Sequence, residues 1–158
     1  MFMTSFHQFF PDLARTEMRS VHISGSANLP DGEYGFFESY CDDPTCDCRR
    51  VLLNVYRSDS QSKQWAVISY GWEPVGFYRR WVGNSALAQE AKGPTLEPFE
   101  PQTDYAPALL ELFKTMIRDE AYVQRIKRHY ALVKGRAKPS TSSALVRKVE
   151  RGRRNRQS

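Results

Sequence analysis

The three cysteines of this 158-residue chain, Cys41, Cys46 and Cys48, all lie within eight positions. Strand-like sequence flanks this C-x4-C-x-C segment on both sides, so the segment is predicted to be a loop between two strands. Residues two apart project to the same side of an extended backbone, and Pro44 can turn Cys41 back toward the other two sulfurs. Zinc binds thiolates at about 2.3 Å in a tetrahedral set. The cluster therefore predicts a loop held together by zinc, with zinc as the cofactor.

Three cysteines leave one position of a tetrahedral zinc site to fill. His129 is the preferred fourth ligand, because it neighbours the apolar stripe of the last predicted helix and zinc sites usually complete a cysteine set with Cys or His. The alternatives are the other histidines and the carboxylates of the loop: His22, His7, Asp42, Asp43 and Asp47. A site with four protein ligands is typically structural, whereas three cysteines with water in the fourth position would allow catalysis.

Other chemistry fits the cysteine spacing less well. A disulfide would leave one thiol unpaired, and Cys46 and Cys48 lie too close in sequence to pair without strain. An iron–sulfur cluster stays an alternative, although the spacing matches neither common ferredoxin pattern. Neighbouring aspartates disfavour a nucleophilic cysteine, because they raise the thiol pKa. The sequence contains neither the deaminase pair H-x-E and P-C-x-x-C nor H-E-x-x-H. The sequence therefore argues against an enzyme.

Hydrophobic periodicity predicts an α+β fold, in which C-terminal helices cover a small antiparallel sheet of about four strands. The predicted strands are residues 20–24, 33–40, 49–57 and 64–70. The first two predicted helices are residues 75–82 and residues 86–92, and Asn84 or Ser85 caps the second. A third helix is capped by Thr103 or Asp104, and a fourth begins after its cap Asp119 and ends at Gly135.

Charge divides the chain into an acidic body and a basic end. Residues 1–133 carry 14 basic and 17 acidic residues, whereas residues 134–158 carry nine basic residues against Glu150 alone. The predicted organisation is a Phe-rich N-terminal arm (1–19), a zinc-binding body (20–135) and a basic, disordered tail (136–158). The chain has no apolar run of about 18 residues, and residues 1–19 do not show the basic and then continuously apolar pattern of a secretory leader. We therefore expect a cytoplasmic protein that does not contact a membrane.

The basic tail carries the leading functional prediction, a zinc-stabilised and non-enzymatic module that binds nucleic acid. Clustered Lys and Arg side chains bind phosphates with release of counterions, which gives salt-dependent binding with little sequence specificity. The predicted contacts are Arg147, Lys148, Arg151, Arg153, Arg154 and Arg156. A solvated tail without a partner is the alternative interpretation.

Two other functions stay open. One is a metal-dependent enzyme that uses a three-cysteine zinc site with water as the fourth ligand. The other is a protein-interaction subunit that docks through the N-terminal arm, because Phe2, Phe6, Phe9 and Phe10 would otherwise form an exposed apolar patch. Packing of the arm on the body's own core is the alternative to such a partner.

A further segment, Phe77-Tyr78-Arg79-Arg80-Trp81, combines rings with guanidinium groups as nucleic-acid stacking surfaces do. Large aromatic side chains more often fill a core. We therefore expect Phe77 and Trp81 to be buried and the two arginines to stay in solvent.

Four segments of the chain resemble a family of uncharacterised bacterial proteins that share a Y-C-x-x-P-x-C-D-C-R-R block. The segments are EYGFFESYCDDPTCDCRR (33–50), SYGWE (69–73), FYRRW (77–81) and RHYALVK (128–134). The likeness covers residues 28–134 and leaves out the arm and the tail. It implies a bacterial or phage setting in the cytoplasm and favours His129 as the partner of the cysteines. It implies no activity.

Overall fold

One antiparallel sheet of six strands forms the centre of this computed structural model, which describes residues 3–60 and 62–137. The strands are β1 Met3–Ser5, β2 Arg19–Ile23, β3 Gly32–Cys41, β4 Arg50–Arg57, β5 Gln64–Gly71 and β6 Thr95–Leu96. Their order is β1-β3-β4-β5-β6, and β2 also pairs with β3. Because β1 pairs with residues 39–41 and β2 with residues 32–36, the two strands share the outer edge of β3.

Six helices accompany the sheet in the described residues. They are α1 Phe6–Phe9, α2 Pro11–Glu17, α3 Val75–Val82, α4 Ser85–Lys92, α5 Ala106–Met116 and α6 Glu120–Ala137. The apolar stripes of α5 and α6 pack on one face of the sheet, and the ring of Phe113 lies 6.1 Å from the ring of Phe36. The predicted α+β class is therefore confirmed. None of the described helices is both long and apolar enough to span a bilayer.

Register places the core side chains opposite one another across the sheet. Leu53 of β4 lies opposite Ile68 of β5, and both are fully buried. Phe36 of β3, opposite Val55, is also fully buried. Each such side chain contributes about 1.5–3 kcal/mol to folding relative to its exposed state. The four predicted strands correspond to β2, β3, β4 and β5 and are confirmed to within one residue at each end.

Two predicted helix ends are wrong, and two predicted caps are confirmed. Neither Thr103 nor Asp104 caps α5, because the Thr103 hydroxyl donates to the carbonyl of Trp65 at 2.7 Å and holds the preceding loop to β5. Gly135 does not end α6, which continues to Ala137. The side chain of Asn84 accepts from the first N–H groups of α4, and that of Asp119 accepts from Ala121 N at 3.1 Å.

The helix α3 buries a different ring from the two that we expected. Tyr78 is fully buried, whereas Trp81 is 42% exposed and Phe77 is half-buried. Gly71 explains the difference, because a Cβ atom there would lie only 2.2 Å from the Tyr78 hydroxyl. The glycine thus admits Tyr78 beside β5. The arginines at 79 and 80 are exposed as expected.

The described part of the N-terminal arm packs on the body. Phe6 is 2% exposed, and its ring stacks on that of His129 with centroids 4.1 Å apart. Phe9 and Phe10 are partly buried against the same core, and β1 joins the sheet. Phe2 lies outside the described residues. The body's own core therefore covers the arm's three described phenylalanines.

Candidate metal centre

The loop between β3 and β4 brings the three cysteine sulfurs together. The Sγ atoms of Cys41, Cys46 and Cys48 lie within 4.8 Å of one another, and all three thiols are free. Tetrahedral coordination at about 2.3 Å separates two sulfurs by about 3.8 Å, so a zinc ion fits with a small inward movement of the sulfurs. Within the described part of the chain, this trio is the one group of His, Cys and acidic residues with metal-site spacing. The three cysteines can therefore hold a metal ion.

The sulfurs differ in their access to solvent. Cys41 is 1% exposed and Cys48 is fully buried, whereas Cys46 is half-buried. Burial and the neighbouring thiols raise the pKa of Cys46 to about 12. Burial also raises the pKa of Cys48, although the positive charge of Lys134 opposes that shift. At neutral pH these two cysteines are thus thiols, and metal binding must displace their protons.

An aspartate turn and a buried lysine shape the loop. The Asp43 carboxylate accepts from the backbone N–H and the hydroxyl of Thr45, at 2.9 and 2.7 Å. The Asp43 carbonyl accepts from Cys46 N at 3.2 Å and from the ammonium of Lys134 at 2.7 Å. Lys134 comes from α6 and is only 8% exposed. The last helix therefore places one buried positive charge beside the thiols.

Arg49 turns the chain from the cysteines into β4. It adopts the left-handed conformation at φ +48°, which costs a non-glycine residue about 1–2 kcal/mol. Two tyrosines hold its backbone: the hydroxyl of Tyr130 accepts from Arg49 N at 3.2 Å, and that of Tyr78 donates to the Arg49 carbonyl at 2.8 Å. The turn after Cys48 is thus fixed from α6 on one side and from α3 on the other.

The carboxylates of the three loop aspartates accept hydrogen bonds from residues other than the cysteines. Asp42 accepts from the hydroxyl of Thr4 at 2.9 Å, and Asp43 accepts from Thr45 as described. Asp47 accepts two hydrogen bonds from Arg49, at 3.0 and 2.9 Å. These hydrogen bonds lower the pKa of Asp43 and of Asp47. None of these carboxylates joins the sulfur cluster.

His129 does not join the cysteines either. It is fully buried; its Nδ1 lies 3.0 Å from a Glu38 oxygen and its Nε2 2.5 Å from a Glu17 oxygen. Both ring nitrogens therefore face carboxylates, and the structure does not support His129 as the fourth metal ligand. The other two histidines, His7 in α1 and His22 in β2, are exposed and also lie outside the cluster.

Sequence reasoning missed the two carboxylates that hold His129. Glu38 is 7% exposed, and its carboxylate also accepts from the hydroxyl of Tyr40. Its position was visible in the sequence, because it follows Tyr34 and Phe36 at the two-residue spacing of the buried face of β3. Glu17 gave no comparable signal, because it meets His129 across 112 positions of chain.

The predicted nucleic-acid contacts, from Arg147 to Arg156, lie outside the described residues. Two basic residues at the start of the basic end have roles in the fold. Lys134 binds the cysteine loop, and Arg136 donates to the carbonyl of Phe9 at 3.0 Å. Those two cations are thus engaged within the protein.

Comparison with known proteins does not extend these observations. No protein-family model, no curated protein and no solved structure matches this chain. The resemblance to uncharacterised bacterial proteins stays a prediction.

Proposed function

We propose that the protein is a zinc-stabilised, non-enzymatic binding module, in which one zinc ion on Cys41, Cys46 and Cys48 fixes the loop between β3 and β4. The observation that carries the proposal is the cluster of three sulfurs within 4.8 Å, two of them almost fully buried. Soft thiolate ligands select zinc, copper(I) or iron–sulfur clusters over harder ions. Zinc is favoured among these because a compact cysteine set in a short loop is typical of structural zinc sites.

The zinc ion would connect three parts of the fold. The loop that carries the cysteines bonds to β1 through Asp42 and Thr4, and to α6 through Lys134 and Tyr130. A bound ion would hold this loop in one conformation and so stabilise both attachments. This arrangement supports a structural role for the metal.

The proposed partner of the module is nucleic acid, bound through the basic tail. Residues 138–158 carry seven basic residues and one acidic residue, a net charge of +6. The body from residue 1 to 133 has three more acidic than basic residues, so the phosphate-attracting charge is concentrated in the tail. The sequence resemblance implies a bacterial or phage setting, and in that setting such a module would act as an accessory factor.

Elemental analysis tests the metal assignment. We expect one zinc per chain in protein purified without added metal, and much less in C41S and C46S. The matched control is T45S, which keeps the hydroxyl that binds Asp43 and changes no sulfur. Iron in place of zinc, or a metal-free protein with three titratable thiols, would overturn the assignment.

Fluorescence anisotropy with labelled duplex DNA and single-stranded RNA tests the tail. We expect binding that weakens steeply between 50 and 200 mM salt, because about six neutralised phosphates release their counterions. The comparison is a full-length variant with Arg147, Lys148, Arg151, Arg153, Arg154 and Arg156 changed to Gln. Equal binding by this variant, or no binding by the natural chain at low salt, would refute the nucleic-acid proposal.

A further inference from the structure

We propose that the fourth donor to the cysteine-bound metal comes from outside the described fold and is a neutral nitrogen ligand, an imidazole. This inference rests on the proposed function, since it concerns the same three-cysteine centre. Neither the loop carboxylates nor the histidines of the described residues complete the centre.

The nearby oxygen donors are already used. Asp42 binds Thr4, Asp43 binds Thr45, and Asp47 binds Arg49 through both carboxylate oxygens. Asp42 and Asp43 each use one carboxylate oxygen, but none of the three carboxylates lies in the sulfur cluster, and movement of one to a metal would disturb the hydrogen bonds that shape the loop. Release of Asp43 would cost two hydrogen bonds, each worth about 0.5–1.5 kcal/mol.

The nitrogen donors of the described residues are no closer. His129 is held between two carboxylates inside the core, and its ring is stacked on Phe6. To turn it toward the cysteines would remove one of the two described hydrogen-bond partners of the buried Glu38 carboxylate and leave it with the Tyr40 hydroxyl, which is costly. The exposed His7 and His22 lie on α1 and β2, outside the sulfur cluster.

Access to the metal is from one side. Cys41 and Cys48 are buried, so protein surrounds the ion on their side, and only Cys46 reaches solvent. A fourth ligand from another molecule would therefore approach past Cys46. Such an approach requires that one of the three cysteine ligands is partly exposed, as Cys46 is.

Charge favours a neutral ligand. Three thiolates on a doubly charged ion leave one net negative charge, which the buried ammonium of Lys134 offsets. Two arginines follow Cys48. Arg49 is paired with Asp47 and lies 3.6 Å from Glu73, and the guanidinium of Arg50 donates to the hydroxyl of Ser69. A fourth thiolate would add a second negative charge beside the carboxylates of Asp47 and Glu73. Imidazole adds no charge and is a common zinc ligand.

Cobalt substitution of the full-length chain tests the inference. Cobalt(II) gives visible d–d bands that report its ligands, and the probe is free imidazole, with 2-mercaptoethanol in a parallel titration. We expect a saturable shift of the bands with imidazole and a weaker response to the thiol. The H129Q variant is the matched control and should respond as the natural chain does.

The outcomes separate the inference from the proposed function. If cobalt binds to a chain that is monomeric by mass and its bands do not respond to imidazole, the fourth donor belongs to the chain and the inference is wrong. A change of the bands in D42N, D43N or D47N before imidazole is added would identify that internal donor. A stronger response to the thiol would overturn the neutral-ligand assignment. If cobalt does not bind at all, it is the proposed metal centre that fails.

The source of the imidazole can also be distinguished. The exposed His7 and His22 of a second copy are one source, and a histidine of another protein is the other. Mass measurement of the cobalt-loaded chain separates them. A metal-dependent dimer that the double variant H7Q/H22Q abolishes would assign the ligand to a second copy, whereas a monomer that responds to free imidazole would assign it to another molecule.

Discussion

At the scale of single residues, the metal centre depends on a glycine that is not part of it. Gly71 lets the Tyr78 hydroxyl approach β5, where a Cβ atom would stand only 2.2 Å away. That hydroxyl donates to the carbonyl of Arg49, the residue that directly follows Cys48. The left-handed turn of Arg49 is therefore supported by a contact that any larger residue at position 71 would displace.

We expect G71A to lower the free energy of unfolding by about 1–3 kcal/mol, as overpacked sites do, and to weaken zinc binding. The change forces Tyr78 away from the Arg49 carbonyl. Chemical denaturation with and without zinc measures both effects. The control is G76A in α3, where an added Cβ meets nothing within 4 Å and should stabilise the helix by up to about 1 kcal/mol. Equal effects of the two variants would contradict this account.

We expect Y130F to cost about 1–3 kcal/mol, because it leaves the Arg49 N–H without its partner and removes a donor to Asp47. The ring itself should stay packed against Trp72, 5.1 Å away. The comparison is Y56F, which loses only a 3.3 Å hydrogen bond to Gln64. Denaturation and the rate of zinc release to a chelator are the measurements, and unchanged zinc release would argue against a role for the tyrosine.

At the scale of elements, α6 connects the cysteine loop to the buried contact of His129 with two glutamates. Tyr130 and Lys134 hold the cysteine loop, while the adjacent His129 lies between Glu38 of β3 and Glu17 of α2. Burial alone would lower the pKa of His129, but the hydrogen bonds and charges of the two carboxylates outweigh it and raise the pKa above its ordinary value. The two carboxylates thus favour the protonated ring, and the contact with Glu17 attaches α2 to the core.

This raised pKa predicts how stability depends on pH. A group whose pKa is higher in the folded state stabilises fully below its unfolded pKa, about 6.5 for histidine, and loses that contribution as pH rises through the folded value. We therefore expect the free energy of unfolding to fall as pH rises above about 6.5. Denaturation across this range should show a flatter profile for H129Q, whereas H22Q should keep the natural slope. An identical slope in H129Q would refute the assignment.

The regular elements were predictable from the sequence, whereas the long-range contacts of single side chains were not. The hydrophobic pattern located β2, β3, β4 and β5 because each has at least five residues, whereas β1 and β6 have three and two residues and show no period. The cysteine trio was predictable because it is local. The partners of His129 were not, since Glu17 and Glu38 lie 112 and 91 positions away. Trp81 was misplaced because helical spacing alone does not say which ring faces the sheet.

At the scale of the whole molecule, the cysteine loop touches both ends of the described chain. Asp42 binds Thr4 near the start, and Asp43 binds Lys134 near the end. A ligand that binds only the folded state stabilises it by about 2.7 kcal/mol at a hundredfold excess over its dissociation constant. The metal should therefore influence the fold far beyond its own loop.

We expect removal of zinc by a chelator to lower the melting temperature and to increase hydrogen exchange in both β1 and the last turns of α6. Calorimetry and exchange mass spectrometry measure the two effects, and added zinc should reverse them. The control region is α4, which has no described hydrogen bond to the loop. Exchange that increases only within residues 41–48 would show that the metal acts locally.

The connection between the loop and α6 has a consequence for biosynthesis. The thiols of Cys41, Cys46 and Cys48 leave the ribosome long before Lys134, which lies 91 positions beyond Asp43. During that interval the strands of the sheet can pair, but the helix that covers the loop and supplies its buried cation has not been made. The nascent chain therefore presents three uncovered thiols to the cell. Metal binding or oxidation of these thiols can therefore begin before the last helix closes over them.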